Sequence, residues 1–255
     1  MTRFIEPGTY QWIAPRNGLV HVKIQGGDGG DWQYEGKSKQ GGNGGYTYVA
    51  INVEAGDIYN LVVAGHGVHV HSEHNGGGGG GGSGILKNSD PTWLVIAGGG
   101  GGASRDGAGG DGGVGADSGI GSRGNRGDVT HRDVGEGATP RRAGRGGRRG
   151  RTDGQSGSEH TGGDGASEQT SNILGGAGAG NGGRGGIGGD DFAGGGGGGG
   201  WFGGGGGGVS KKGGDGGSGG GGSTYYDDTR VTPSSEPIWY YANGGNGYIE
   251  IIPTW

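Results

Sequence analysis

The chain has no cysteine, which excludes disulfide staples and thiol chemistry. It has only 7 prolines and 1 methionine in 255 residues. Hydrophobic residues make up 27%, well below the apolar share of an ordinary globular domain once glycine is set aside. No apolar run reaches the length of a signal peptide or a membrane span, so membrane insertion is not expected. The expectation is a soluble protein assembled in a cytoplasm and released by lysis. A net charge of −5 gives no general affinity for nucleic acid. From Leu94 to Asp191 there is no aromatic residue. From residue 103 to 190 the aliphatics are mostly alanines, with Val114, Ile120, Val129, Val134, Ile173, Leu174 and Ile187. A fully buried aliphatic contributes ~1.5–3 kcal/mol, so these are too few to order the middle of the chain through a conventional core.

What the chain has instead is glycine, 82 residues of it, in runs such as Gly76 to Gly82, Gly194 to Gly200 and Gly203 to Gly208. Glycine loses more backbone freedom on folding than any other residue. Collagen is excluded, because the glycines come in blocks and proline is scarce. Disorder is the competing reading. An ordered route exists if glycine segments adopt the polyproline-II conformation, with three residues per turn and about 3.1 Å rise. Such rods pack backbone on backbone, each N–H bonding to a carbonyl of a neighbouring rod. Larger residues must then face outward, one per turn. The units Gly162-Gly-Asp-Gly165, Asn181-Gly-Gly-Arg-Gly-Gly-Ile-Gly-Gly189 and Asp215-Gly-Gly-Ser-Gly-Gly220 have that spacing.

The two ends of the chain read differently. Gly8 to Pro15, Leu19 to Gln25, Tyr46 to Val53, Asp57 to Ala64 and Thr92 to Ala97 read as strands, as do Ile238 to Ala242 and Gly247 to Ile252. The first two resemble a hairpin or two neighbouring strands. No stretch has a 3.6-residue period, so essentially no α-helix is expected. The expected architecture is all-β with irregular regions. A β-sandwich from residues 1–100 and 236–255 clamps an inserted rod bundle over 101–235, as one interlocked domain.

Five segments carry a family resemblance. They are Gly8-Thr-Tyr-Gln-Trp-Ile-Ala-Pro15 with Gly18-Leu-Val-His-Val-Lys-Ile-Gln-Gly-Gly-Asp-Gly-Gly30; Gly41-Gly-Asn-Gly-Gly-Tyr-Thr-Tyr-Val49; Ala55-Gly-Asp-Ile-Tyr-Asn-Leu-Val-Val-Ala-Gly65; Trp93-Leu-Val-Ile-Ala-Gly-Gly-Gly-Gly-Gly-Ala103; and Gly244-Gly-Asn-Gly-Tyr-Ile-Glu-Ile-Ile252. In order and spacing they resemble the glycine-rich domain of bacteriophage tail and tail-fibre proteins, over nearly the whole chain. The resemblance implies a virion component of the tail tip or tail fibre, not an enzyme. Its implied partners are other tail proteins and a bacterial surface glycan or protein. The oligomeric state stays open, a homotrimer suiting tail symmetry. A structural or ice-binding glycine-rich protein is a second reading, and an RNA-associated low-complexity protein a third.

Candidate binding residues fall in two groups. Trp201 and Phe202 sit between glycine runs, and Tyr225 and Tyr226 follow one; exposed aromatics stack on sugar rings or anchor protein contacts. Trp239 and Tyr241 are better read as packed. Arg141, Arg142, Arg145, Arg148, Arg149 and Arg151 form the second group. They read as solubilising charge, as a patch for anionic envelope glycans, or as a nucleic-acid segment that lacks interleaved aromatics, which makes nucleic acid the least favoured. His69 and His71 have the His-x-His spacing of a metal pair if they lie on a strand, but incidental histidines are the competing reading, and no metal or other cofactor is expected. No phosphate loop, nucleophile elbow or carboxylate pair is present.

Overall fold

Val20, Val22 and Ile24 fall on alternate positions, and so do Val49, Ile51 and Val53; all six are buried, as a strand with one face on a core requires. A computed structural model describes residues 1–113, 119–125, 133–148, 151–169, 173–189, 191–210, 215–234 and 245–255. The strands in chain order are β1 (Thr2–Phe4), β2 (Gly8–Ile13), β3 (Gly18–Gln25), β4 (Trp32–Tyr34), β5 (Lys37–Lys39), β6 (Tyr46–Val53), β7 (Ile58–Val63), β8 (Ser83–Lys87), β9 (Asp90–Ala97), β10 (Tyr225–Tyr226), β11 (Val231–Pro233) and β12 (Tyr248–Pro253). No α-helix occurs among the described residues, so no helix there could cross a membrane.

Two five-stranded antiparallel sheets form, in the orders β1-β12-β3-β6-β11 and β10-β9-β8-β7-β2. One buried cluster takes Val22, Val49, Ile249 and Ile251 from the first and Leu61, Val63, Ile85 and Val95 from the second, which makes the pair a sandwich. The expected pairing of the first two long strands does not occur. β2 pairs with β7 in one sheet, and β3 lies between β6 and β12 in the other. The turn at Arg16 and Asn17 therefore crosses between layers. The expected strand at 238–242 lies outside the described residues. Strands β10 and β11 fall inside the stretch that the sequence reading gave to the insert.

The rods come next, and their hydrogen bonds show the three-residue period directly. Gly99 and Gly102 donate to Gly199 and Gly196, Gly100 and Ala103 donate to Gly27 and Gly30, and Gly101 donates to Gly110. Three successive N–H groups thus point to three different neighbours, and the fourth returns to the first. The run 76–82 has a full hexagonal shell. It donates to the runs at 100–103, 65–68 and 180–186, and accepts from those at 27–30, 176–179 and 196–199. The runs 194–200, 203–208 and 216–222 are surrounded in the same way. A Cβ on Gly81 would lie 2.5 Å from the Ala177 carbonyl oxygen, so only glycine fits there.

The segments 26–30, 41–45, 65–68 and 98–103 belong to this lattice as fully as the middle of the chain does. Each continues directly from or into a sandwich strand, so sandwich and lattice share the same chain segments. The rods therefore have a sheet end and a far end. Reversals at 139–142, 158–161 and 201–202 lie at the sheet end, and those at 31–41, 68–75 and 104–107 at the far end.

Candidate functional site

At the sheet end the chain reverses between the runs 194–200 and 203–208, and Trp201 and Phe202 make that reversal. The Trp201 ring lies flat on Tyr225, with centroids 4.2 Å apart and planes at 17°. Phe202 and His160 meet Trp201 edge-on, at 6.2 and 5.1 Å. The Phe202 N–H donates to Ser223 Oγ at 2.9 Å. All four rings are half-buried. Burial raises the Tyr225 hydroxyl pKa, and Asp227 adds to the effect. Trp201, Phe202 and Tyr225 are thus brought together as a cluster in which Trp201 covers one face of Tyr225. Tyr226 packs on the sandwich core.

Beside this cluster lies an open depression lined by Gly119, Pro140, Arg141, Thr224, Tyr225, Tyr226 and Asp228. It joins the two groups singled out in the sequence, placing an arginine with two tyrosines. The rest of the arginine segment leaves along an outer rod. Gly144 and Gly147 donate to Gly203 and Gly206, so this segment keeps the three-residue turn. Arg142, Arg145 and Arg148 recur at that period, and all three are exposed, as are Arg141 and Arg151. Arg142 lies 3.7 Å from Glu136, which also pairs with Arg123 at 3.1 Å. Arg151 pairs with Asp191. Among the described residues no carboxylate pairs with Arg141, Arg145 or Arg148. Arg149, Trp239 and Tyr241 lie outside the described residues.

His69 and His71 flank buried Val70, whose bridge to Trp32 is isolated rather than part of a named strand. Both histidines are exposed. The His69 Nδ1 accepts the Asp31 N–H at 2.9 Å, and its ring stacks on His66 with centroids 4.9 Å apart. One nitrogen of the candidate pair is therefore already engaged. Among the described residues no group of three or more histidine or carboxylate side chains is placed to hold a metal.

The far end carries a feature that the sequence reading did not single out. Strands β4 and β5 form a hairpin whose turn is Glu35 and Gly36, with φ of 47° and 75°. Gln33, Tyr34, Glu35, Lys37 and Ser38 line an open groove with His71. The signal was a two-residue loop ending in glycine between Trp32-Gln-Tyr34 and Lys37-Ser-Lys39, which suits a hairpin turn with positive φ at both positions. Two residues after β5 the chain enters the rod at Gly41 and Gly42, and the Asp31 carboxylate accepts the Gly41 N–H at 2.8 Å.

No protein-family model matches the chain, and no curated protein sequence matches it.

Proposed function

We propose that the chain is a structural component of a bacteriophage tail tip or tail fibre that displays a host-surface binding region, and that it is not an enzyme. The observation that carries this reading is the polarity of the rod lattice. One end runs without a break into the sandwich strands, and the other carries the β4–β5 hairpin with its exposed turn. A hexagonal backbone lattice holds such loops in fixed positions, so binding through them costs little ordering entropy. Many copies on one particle would add avidity. The motif order described above supports the tail assignment, with other tail proteins and a bacterial surface glycan or protein as partners. The ordered lattice speaks against a disordered RNA-associated protein, and the exposed arginines speak against the flat, weakly charged face that ice binding requires. The test is immunogold labelling of virions with antibody raised against the purified chain, paired with an adsorption assay. Gold at the tail and antibody-blocked adsorption are expected. Unlabelled tails would overturn the reading.

A further inference from the structure

The outer rod bearing the arginines has a geometry that a random basic loop lacks. Its three-residue turn repeats every ~9 Å, since each residue rises about 3.1 Å. Arg145 and Arg148 therefore stand one turn apart on one exposed edge, with Arg142 one turn before them at the reversal. The row is held rigid from behind. Gly144 and Gly147 donate to Gly203 and Gly206, Gly154 and Gly157 donate back to Gly147 and Gly144, and Glu136 N–H donates to the Arg145 carbonyl. The backbone of this rod is thus tied to its neighbours on several sides. At the sheet end the row meets the depression where Arg141 stands with Tyr225 and Tyr226.

We infer that this ladder and the tyrosine-lined depression at its end form one binding track for a linear anionic polysaccharide, with carboxylate or phosphate groups facing the guanidinium row and a sugar ring against the tyrosines. Guanidinium groups bind carboxylates and phosphates bidentately, and Arg145 and Arg148 have no carboxylate partner among the described residues. The repeat of the ladder is comparable with the length of an extended disaccharide unit, so a polymer charged once per unit meets each arginine in register. Nucleic acid fits less well. Its phosphates are more closely spaced than the arginines, and no aromatic stands along the row for bases to stack on. The overall charge of −5 also opposes unspecific attraction to a polyanion, so the affinity has to come from the local row. The inference rests on the surface-binding reading above, and names the ligand class of one side of the bundle.

The experiment measures binding of the purified chain to immobilised polygalacturonate, poly(glycerol phosphate), neutral dextran and single-stranded oligothymidylate over a salt series. The comparison is the double variant Arg145→Ala/Arg148→Ala, whose exposed side chains are absent from the lattice contacts; an unchanged melting curve confirms its fold. Binding to polygalacturonate or poly(glycerol phosphate) but not dextran is expected. The variant should lose at least tenfold in affinity and show a shallower salt dependence. The tighter of the two polymers tells carboxylate from phosphate recognition. No binding to either anionic polymer, equal binding by the variant, or tighter binding to oligothymidylate would overturn the track. Binding to intact host cells is measured in parallel. Equal cell binding by the chain and the variant sinks the track alone, whereas no cell binding by the unaltered chain sinks the surface-binding reading.

Discussion

Trp201 stacks face to face on Tyr225, so the reversal between two glycine rods is fastened to strand β10 of the sandwich. The contact joins the two halves of the architecture ring to ring, beside the backbone bonds and the hydroxyl bonds of Ser223 and Thr224. It also explains a bulky pair of residues between long glycine runs: the reversal leaves the lattice, and there the chain can carry rings.

Replacing Trp201 with alanine should therefore destabilise the protein by about 2–4 kcal/mol, somewhat below the range for fully buried aromatics, because the ring is half-buried. Urea denaturation followed by tyrosine fluorescence measures it. A change below about 0.5 kcal/mol, the size of an ordinary surface substitution, would mean that the ring is free to serve a ligand instead.

Two glycines separate the two reasons for using the residue. Gly81 has an ordinary φ but no room for a Cβ, and Gly36 has open space around it but a φ of 75°. Gly36→Ala should cost about 1 kcal/mol, the strain of a left-handed alanine. Gly81→Ala must push two rods apart and break the bonds on both sides of the run, so it should cost several-fold more, about 3 kcal/mol or beyond. Hydrogen exchange reads the same contrast. The amides of Gly80 and Gly198, bonded to Gly100 and Gly220, should be strongly protected in the unaltered chain and lose protection in Gly81→Ala but not in Gly36→Ala. Peptide-like exchange at Gly80 and Gly198 in the unaltered chain would remove the lattice itself.

Much of this was legible in the sequence. Alternation in Leu19 to Gln25 and Tyr46 to Val53 marks β3 and β6 nearly to the residue, because each has one face on the core and one off it. Glycine blocks with one larger residue per three mark the rods, because a three-residue turn exposes one edge. Partner choice was not legible. Tyr10 pairs with Leu61 rather than with its neighbour across the turn, and nothing local to Gly8 to Ile13 encodes a partner so distant in the chain. Strand β8 escaped because Ile85 and Leu86 are too short an apolar run to stand out after a glycine block. The meeting of Arg141 with Tyr225 and Tyr226 escaped for the same reason as the strand pairing: the two segments are brought together only by the lattice between them.

The first and last strands are also joined by a charge pair. Arg3 Nε and Nη2 donate to Glu250 Oε1 at 3.0 and 2.6 Å, and Glu250 is 3% exposed. Arg3→Met strands a carboxylate in the sheet and should cost about 2 kcal/mol, less than a fully buried pair because Arg3 is partly in water. Adding Glu250→Met should return much of that loss, since two apolar side chains in place of an ion pair need no desolvation. Urea midpoints of the two single variants and the double variant give the coupling. A double variant no more stable than Arg3→Met would show that the carboxylate has other support.

Asp28 gives the stability of the chain a pH dependence with an unusual sign. Its carboxylate accepts the Gly44 N–H at 2.6 Å, and its own N–H donates to the Gly245 carbonyl at 2.6 Å, which fixes it among the rod starts. Burial, the dominant cause, pushes its pKa up to about 6; the Gly44 bond pulls the other way, Asp31 and Asp111 add to the rise, and His66 opposes it. The folded chain therefore holds this proton up to a higher pH than the unfolded chain does. Between the unfolded value near 4 and about 6 the native state binds more protons, so this group makes stability fall as pH rises through that window and stay lowered above it. Asp28→Asn keeps an oxygen for the Gly44 N–H and removes the charge. It should stabilise the protein by about 1–2 kcal/mol at pH 7, have little effect below pH 4, and flatten the slope between. Urea denaturation of both proteins across pH 3.5 to 7.5 measures the difference, and a variant less stable than the unaltered chain at pH 7 would show that the ionised carboxylate is held by more than the Gly44 bond.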